Sequence, residues 1–238
     1  MDLKERIKDI LFPPRCAVCD GVLGPGSKRV CSDCEKKLSY VEEPCCYKCG
    51  KEIDSEDEEL CADCRESTRS FVRGFPVFNY LPPLSDALMG LKYGGRQEYA
   101  DFYGEEIFRR FGKELKSCKI DAILPVPIHP KKYTTRGYNQ AELIADALGK
   151  CMGVRVRTDI LRRVTNTAPQ KGLNNVEREK NLRKAFSTFD NIKDLPETVL
   201  IVDDIYTTGS TIEACTSVCM EKGIKKVYYT SVAIGVSK

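Results

Sequence analysis

The chain has 238 residues, is 31% charged and 42% hydrophobic, and carries a formal net charge of +3. That length allows one large or two smaller domains, and so small a net charge does not by itself call for nucleic acid. No apolar run approaches membrane-spanning length, so membrane insertion is not expected.

Charges are scattered through Met1 to Leu11, which reads against a secretory leader and for a cytoplasmic protein. Leu3, Ile7, Ile10 and Leu11 instead suit a short amphipathic helix. The thirteen cysteines then need another explanation than disulfides. Cys16-x-x-Cys19 and Cys31-x-x-Cys34 recur thirty residues later as Cys46-x-x-Cys49 and Cys61-x-x-Cys64. Between the pairs lie turn-rich tips, Gly21 to Gly26 in the first copy and the acidic Asp54 to Glu59 in the second. Four thiolates meet the tetrahedral demand of Zn²⁺, and each Cys-x-x-Cys turn presents two sulfurs on one side. A segment with so few large apolar residues builds little core, so metal would supply its folding energy. We therefore expect a zinc-binding double ribbon over residues 1–68 with two structural zinc ions, most simply one per copy. The spacing leaves open whether the copies exchange pairs. Cys45, Cys118, Cys151, Cys215 and Cys219 are left over, and small buried apolar roles suit them.

From Arg69 the composition changes. Val72 to Tyr80 contains a strand ended by Pro82-Pro83, and Leu84 to Tyr93 is a helix stopped by Gly94-Gly95. Lys92, just before that stop, suits either a solvated helix end or a phosphate contact. Tyr99 to Leu115 carries a further helical pattern. Asp121 to Pro127 reads as a buried strand running into prolines. Lys131, Lys132 and Arg136 follow as a basic loop, leading to a helix that begins near Tyr138. In a doubly wound sheet such loops gather at the carboxyl ends of the strands. Cations placed there suit a pyrophosphate. His129 is the only histidine, and we read it as a loop residue.

Val156 to Arg162 is a further strand candidate. The polar stretch from Arg163 to Lys184 suits either a solvated loop or a lid over a ligand, with Gln170, Lys171 and Arg178 as the lid candidates. Val199-Leu-Ile-Val202 then reads as a strand buried on both faces, with Asp203 and Asp204 where it would end. Thr207, Thr208, Gly209, Ser210 and Thr211 form a turn rich in hydroxyls, and Ile212, Cys215, Val218, Cys219 and Met220 recur at helical spacing. A strand, a hydroxyl-glycine turn and a helix make an anion site at a helix N-terminus. Carboxylates repel phosphate but accept hydrogen bonds from vicinal hydroxyls, so the run suggests a ribose 5-phosphate cradle. A strand ending in Asp-Asp also occurs in P-loop NTPases, but no G-x-x-x-x-G-K-[ST] is present to go with it. Lys226 to Ile234 is a last strand.

The run from Val199 to Thr211 resembles the fingerprint of type I phosphoribosyltransferases, which bind phosphoribosyl pyrophosphate (PRPP). The resemblance implies that Asp203 and Asp204 hold the ribose hydroxyls and that Thr207, Thr208, Gly209, Ser210 and Thr211 wrap the 5-phosphate. It further implies pyrophosphate near Val126, Lys131, Lys132 and Arg136, with Mg²⁺ as its companion. Pro125-Val-Pro-x-His-Pro, Arg136-Gly-Tyr-Asn-Gln140 and Ala141-Glu-Leu-Ile-Ala145 resemble the competence protein F (ComF) family. So do Leu91-Lys-Tyr93, Arg162 to Gln170, Arg178 and Asn181 to Phe186. The expected fold is α/β: a type I phosphoribosyltransferase fold, a parallel sheet flanked by helices, over residues 69–238 behind the ribbon.

Two functions follow from the resemblance. One is PRPP binding in natural transformation, with imported single-stranded DNA and a helicase-like protein of the competence machinery as partners. The other is phosphoribosyl transfer in nucleotide metabolism to an acceptor the sequence does not name. The acidic tip from Asp54 to Glu59 disfavours phosphate contact there and suits a basic protein partner.

Overall fold

The structure is a computed structural model that describes residues 13–24, 29–165 and 183–236. The expected N-terminal helix and the lid candidates Gln170, Lys171 and Arg178 lie outside the described residues.

The central sheet has four parallel strands: β1 (Gly74–Asn79), β2 (Ala122–Pro125), β5 (Thr198–Tyr206) and β6 (Lys226–Ile234), in the order β1-β6-β5-β2. Helices cover both faces, so the strands read as apolar runs rather than alternating ones. On one face lie α3 (Leu84–Tyr93), α4 (Tyr99–Ser117) and α6 (Gln140–Met152), packed on Ile123, Leu200 and Val202. α4 and α6 approach closely at Gly104, where a Cβ would stand 2.5 Å from that of Ala147. On the other face α7 (Ser210–Lys222) covers Val199 and Ile201 with Ile212, Cys215 and Cys219. Met220 does not join them; it is exposed. Cys215 and Cys219 are buried as expected, whereas Cys45, Cys118 and Cys151 are only half-buried.

The two ribbons straddle the β1 edge. Cys16, Ala17 and Leu38 join the core under α4, while Cys46, Cys49 and Phe71 join the core under α7. Residues 39–41 run along β1, with Asn79 N–H bonded to Ser39 O at 2.8 Å and Val41 N–H to Val77 O at 3.0 Å. The ribbon thereby closes an edge that would otherwise offer unpaired peptide groups. Two short helices, α1 (Ser32–Glu35) and α2 (Ala62–Glu66), carry Cys34 and Cys64, with Cys31 and Cys61 as their N-caps.

Three expectations need correction. The strand does not end before the acidic pair. β5 runs through Asp203 and Asp204 to Tyr206, because β6 keeps pairing with it as far as Ile234. The basic segment is not an open loop but a seven-residue helix, α5 (Pro130–Arg136), started by Pro130 and by the His129 ring accepting the Lys131 N–H. The span from Val156 to Arg162 is not one strand. Val156 bridges β2 alone, and Leu161–Arg163 (β3) pairs antiparallel with Phe186–Thr188 (β4) in a separate two-stranded sheet.

Candidate phosphoribosyl site at the sheet switch point

β2 and β5 are neighbours whose following connections run opposite ways. After β2 the chain passes through α5 and α6 to Val156, outside β2; after β5 it passes through α7 to β6 on the other side. A crevice opens at such a divergence. The β2 ladder leaves β5 where Val126 N–H bonds Val202 O at 2.9 Å, one residue before Asp203. Asp203 and Asp204 are therefore held by β6 on one side and face the crevice on the other.

Both carboxylates are buried, on opposite faces of β5. Asp204 faces the α3 and α6 side. Lys92 Nζ stands 2.5 Å from its Oδ2, and Gln140 Nε2 lies 3.5 Å from its Oδ1. The ammonium pairs with Oδ2 electrostatically, yet that buried oxygen accepts no aligned hydrogen bond. A hydroxyl or N–H donor entering the crevice would complete it. Asp203 faces α7 and β3, toward Cys215 and Arg163. Burial first, and the neighbouring Asp204 charge second, push its carboxyl well above the usual carboxylate range.

The Arg136-Gly-Tyr-Asn-Gln140 run builds the opposite wall. Gly137 ends α5 at φ +82°, in the left-handed region. Tyr138 donates to Leu91 O at 2.5 Å and fixes the end of α3. Asn139 caps α6 through its Oδ1 and ties it to Val126 O at 3.0 Å through its Nδ2. Arg136 lies over the Tyr93 ring and donates to Gln140 Oε1. Arg136, Gln140, Asp204 and Lys92 thus form one connected set.

Between α3 and α5 lies a cavity of about 550 Å³, lined by Lys92, Tyr93, Lys131, Lys132, Arg136 and Tyr138. Burial, then Arg163, Arg136 and Lys92, push the Lys132 ammonium below its ordinary value. Cations that repel each other in a partly buried cavity describe a place for a polyanion. Val126, also expected there, does not line this cavity, and its N–H and C=O are both spent, on Val202 and Asn139.

At the head of α7, Gly209 takes φ +77° and serves as the N-cap. Thr208 Oγ1 and Ser210 Oγ are 3.0 Å apart. Thr207 and Thr208 are exposed and line a cleft of about 390 Å³ with Lys51 and Asp63 of the second ribbon. The loop is also braced from behind, which the sequence reading missed. Arg69 donates from Nη2 to Thr208 O at 2.9 Å, and Ser70 N–H bonds Glu213 Oε2 at 2.9 Å. Gln140 and Arg163 were likewise not singled out as site residues, and Lys92, weighed as a phosphate contact, also meets a carboxylate. Only the end of α3, the start of α6 and β3 put them here.

The cysteines gather as two tetrads, Cys16, Cys19, Cys31, Cys34 and Cys46, Cys49, Cys61, Cys64, each with its sulfurs within 4.8 Å of one another. Each copy closes its own site, and four converging thiols fit a structural zinc. In the first, burial opposes ionisation of Cys16, but the backbone N–H groups of Cys19, Cys31 and Val18 outweigh it and bring the thiol down to about 7.

Residues 7–65 match the family described as a double zinc ribbon domain. Competence protein F of Haemophilus influenzae is 28% identical over 225 residues, spanning 91% of this chain and 95% of that one. DNA utilization protein YhgH of Salmonella typhi is 30% identical over 154 residues, 63% of this chain and 67% of that one. The chain belongs to the ComF family. An adenine phosphoribosyltransferase structure matches 63% of this ComF protein and 76% of its own chain, at 15% identity and a TM-score of 0.38. This ComF chain carries the parallel sheet flanked by helices and the ribbon with two cysteine tetrads. No helix among its described residues is long and apolar enough to cross a membrane.

Proposed function

We propose that this protein binds PRPP, or a phosphoribosyl group of the same shape, and uses it in the handling of imported DNA. One observation carries the reading: the cavity of Lys92, Lys131, Lys132 and Arg136 adjoins the acidic pair through the Lys92–Asp204 contact. Cations for a pyrophosphate and carboxylates for a ribose then meet at one crevice. The turn from Thr207 to Thr211 takes the 5-phosphate, Asp203 and Asp204 take the ribose hydroxyls, and Lys131, Lys132 and Arg136 take the pyrophosphate. Magnesium, when bound with the ligand, neutralises pyrophosphate oxygens. In this reading residues 1–68 are the zinc unit and 69–238 the ligand-binding unit of a cytoplasmic protein. Gln170, Lys171 and Arg178, outside the described residues, are its lid candidates.

The names of the relatives, a competence protein and a DNA utilization protein, support a role in natural transformation. In this reading single-stranded DNA and a helicase-like competence protein are the partners. The same cations would stabilise pyrophosphate leaving C1, which favours phosphoribosyl transfer as the second reading. Calorimetry with PRPP and Mg²⁺ tests the first step. Binding that weakens in Asp203→Asn and Asp204→Asn supports it; no binding, or equal binding by the variants, overturns it. Pyrophosphate release would select the transferase reading. Salt-dependent binding of a single-stranded oligonucleotide would support the DNA role, and its absence would remove it.

A further inference from the structure

The two ribbons tie to the rest of the molecule differently. Each offers a backbone carbonyl to a buried tyrosine hydroxyl. In the first ribbon, Ala17 O accepts from Tyr103 of α4 at 3.1 Å. In the second, the carbonyl of the zinc ligand Cys49 accepts from Tyr229 of β6 at 2.7 Å. The further ties of the first ribbon also end on or beside α4, through Asp20 with Arg96 and Tyr99 and through Arg29 with Glu105. None of these residues touches the turn from Thr207 to Thr211.

The second ribbon reaches that turn by two routes. Tyr229 stacks on Tyr206, with ring centroids 4.7 Å apart and planes 11° from parallel, and Phe71 meets both rings edge-on. Tyr206 in turn lies directly under Gly209, where a Cβ would fall 2.2 Å from the phenol oxygen. The second route is the strand of chain that leaves the ribbon. Arg69, 7% exposed, holds Thr208 O, and Ser70 holds Glu213 in the first turn of α7. A zinc ligand, two stacked tyrosines and the pivot glycine therefore form one continuous buried column.

We propose that the second zinc tetrad, acting through Tyr229 and Arg69, sets the shape of the Thr207–Thr211 turn, and that the first ribbon does not. Metal fixes the Cys49 carbonyl. Without it the Tyr229 hydroxyl loses its acceptor inside the core, and the column loses its fixed end. Arg69 is a positioning residue here, because it holds the turn rather than a ligand. That the turn's occupant is a phosphoribosyl group rests on the reading above; the mechanical coupling does not.

The test uses the full zinc-loaded chain. Hydrogen exchange reports on residues 207–213 without ligand, and calorimetry reports ribose 5-phosphate binding. Tyr229→Phe and Arg69→Ala should speed exchange in 207–213 and weaken ribose 5-phosphate about tenfold, with Arg69→Lys recovering part of the loss. Cys61→Ser, which removes a ligand from the second tetrad, should lower zinc by one equivalent and speed the same exchange. Tyr103→Phe, the matching change under the first ribbon, should leave 207–213 as in wild type. Unchanged exchange in both Tyr229→Phe and Arg69→Ala, or an equal change in Tyr103→Phe, overturns the proposal. If Cys61→Ser does not fold, those three variants still decide. If wild type does not bind ribose 5-phosphate, the phosphoribosyl reading falls while the exchange data still judge the coupling.

Discussion

Lys92 Nζ stands 2.5 Å from Asp204 Oδ2, joining the last turn of α3 to the crevice end of β5. Both side chains are largely buried, 18% and 6% exposed. Such a pair contributes little beyond an apolar substitute of the same shape, but removing one partner strands the other's charge. Lys92→Ala should therefore cost about 3 kcal/mol of unfolding free energy, and Lys92→Met/Asp204→Asn clearly less. Urea unfolding of the two variants checks this. A double variant as unstable as Lys92→Ala would mean that the pair is not what holds these elements.

Asp203 makes a stability prediction with a definite sign. Its carboxyl is raised in the folded state by burial and by Asp204. A raised group contributes stability that is fully present below its unfolded pKa and lost as pH rises through the folded one. Ionised Asp203 should thus weigh against the fold at neutral pH. Asp203→Asn should melt higher than wild type there, with the gap closing as the pH falls, while phosphoribosyl affinity drops. Thermal melts from about pH 5 to 8 read the gap directly. A gap that widens toward acid would reverse the assignment.

Gly209 is required twice over, by φ +77° and by the Tyr206 ring beneath it. Gly209→Ala should cost about 2 kcal/mol or more, since strain and collision add. Tyr206→Phe/Gly209→Ala should recover part of this by removing the phenol oxygen that the new methyl would meet. Equal stability of Gly209→Ala and wild type in urea would show that the turn does not sit on the ring.

Metal analysis should return about two zinc ions per chain, and chelation should unfold the ribbons, because thiolate–zinc bonds replace the core they lack. Cys16→Ser and Cys46→Ser should each lower the content by one, as the tetrads close within copies. Cys45→Ser should leave it unchanged, since that thiol instead lies 2.9 Å from Glu42 O. A loss of both ions from either single tetrad variant would point to exchanged pairs.

The local sequence determined what local chemistry can specify. Repeat spacing marked the two cysteine sets, apolar runs marked β5 and β6, and the Gly94-Gly95 and Gly209 punctuation marked the helix ends. It did not place the end of β5, since strand length depends on how far β6 continues to offer hydrogen bonds. Nor did it choose between the two roles of Lys92, since a helix-end lysine looks alike whether it meets water or a carboxylate. Arg69, Gln140 and Arg163 were beyond its reach for the same reason: their partners are distant in sequence and local patterning carries no record of them. Only the folding of β2 beside β5, with connections diverging, decided that a basic helix and an acidic strand share one crevice. Only the docking of the second ribbon against β6 set a zinc ligand behind the pivot glycine of the turn.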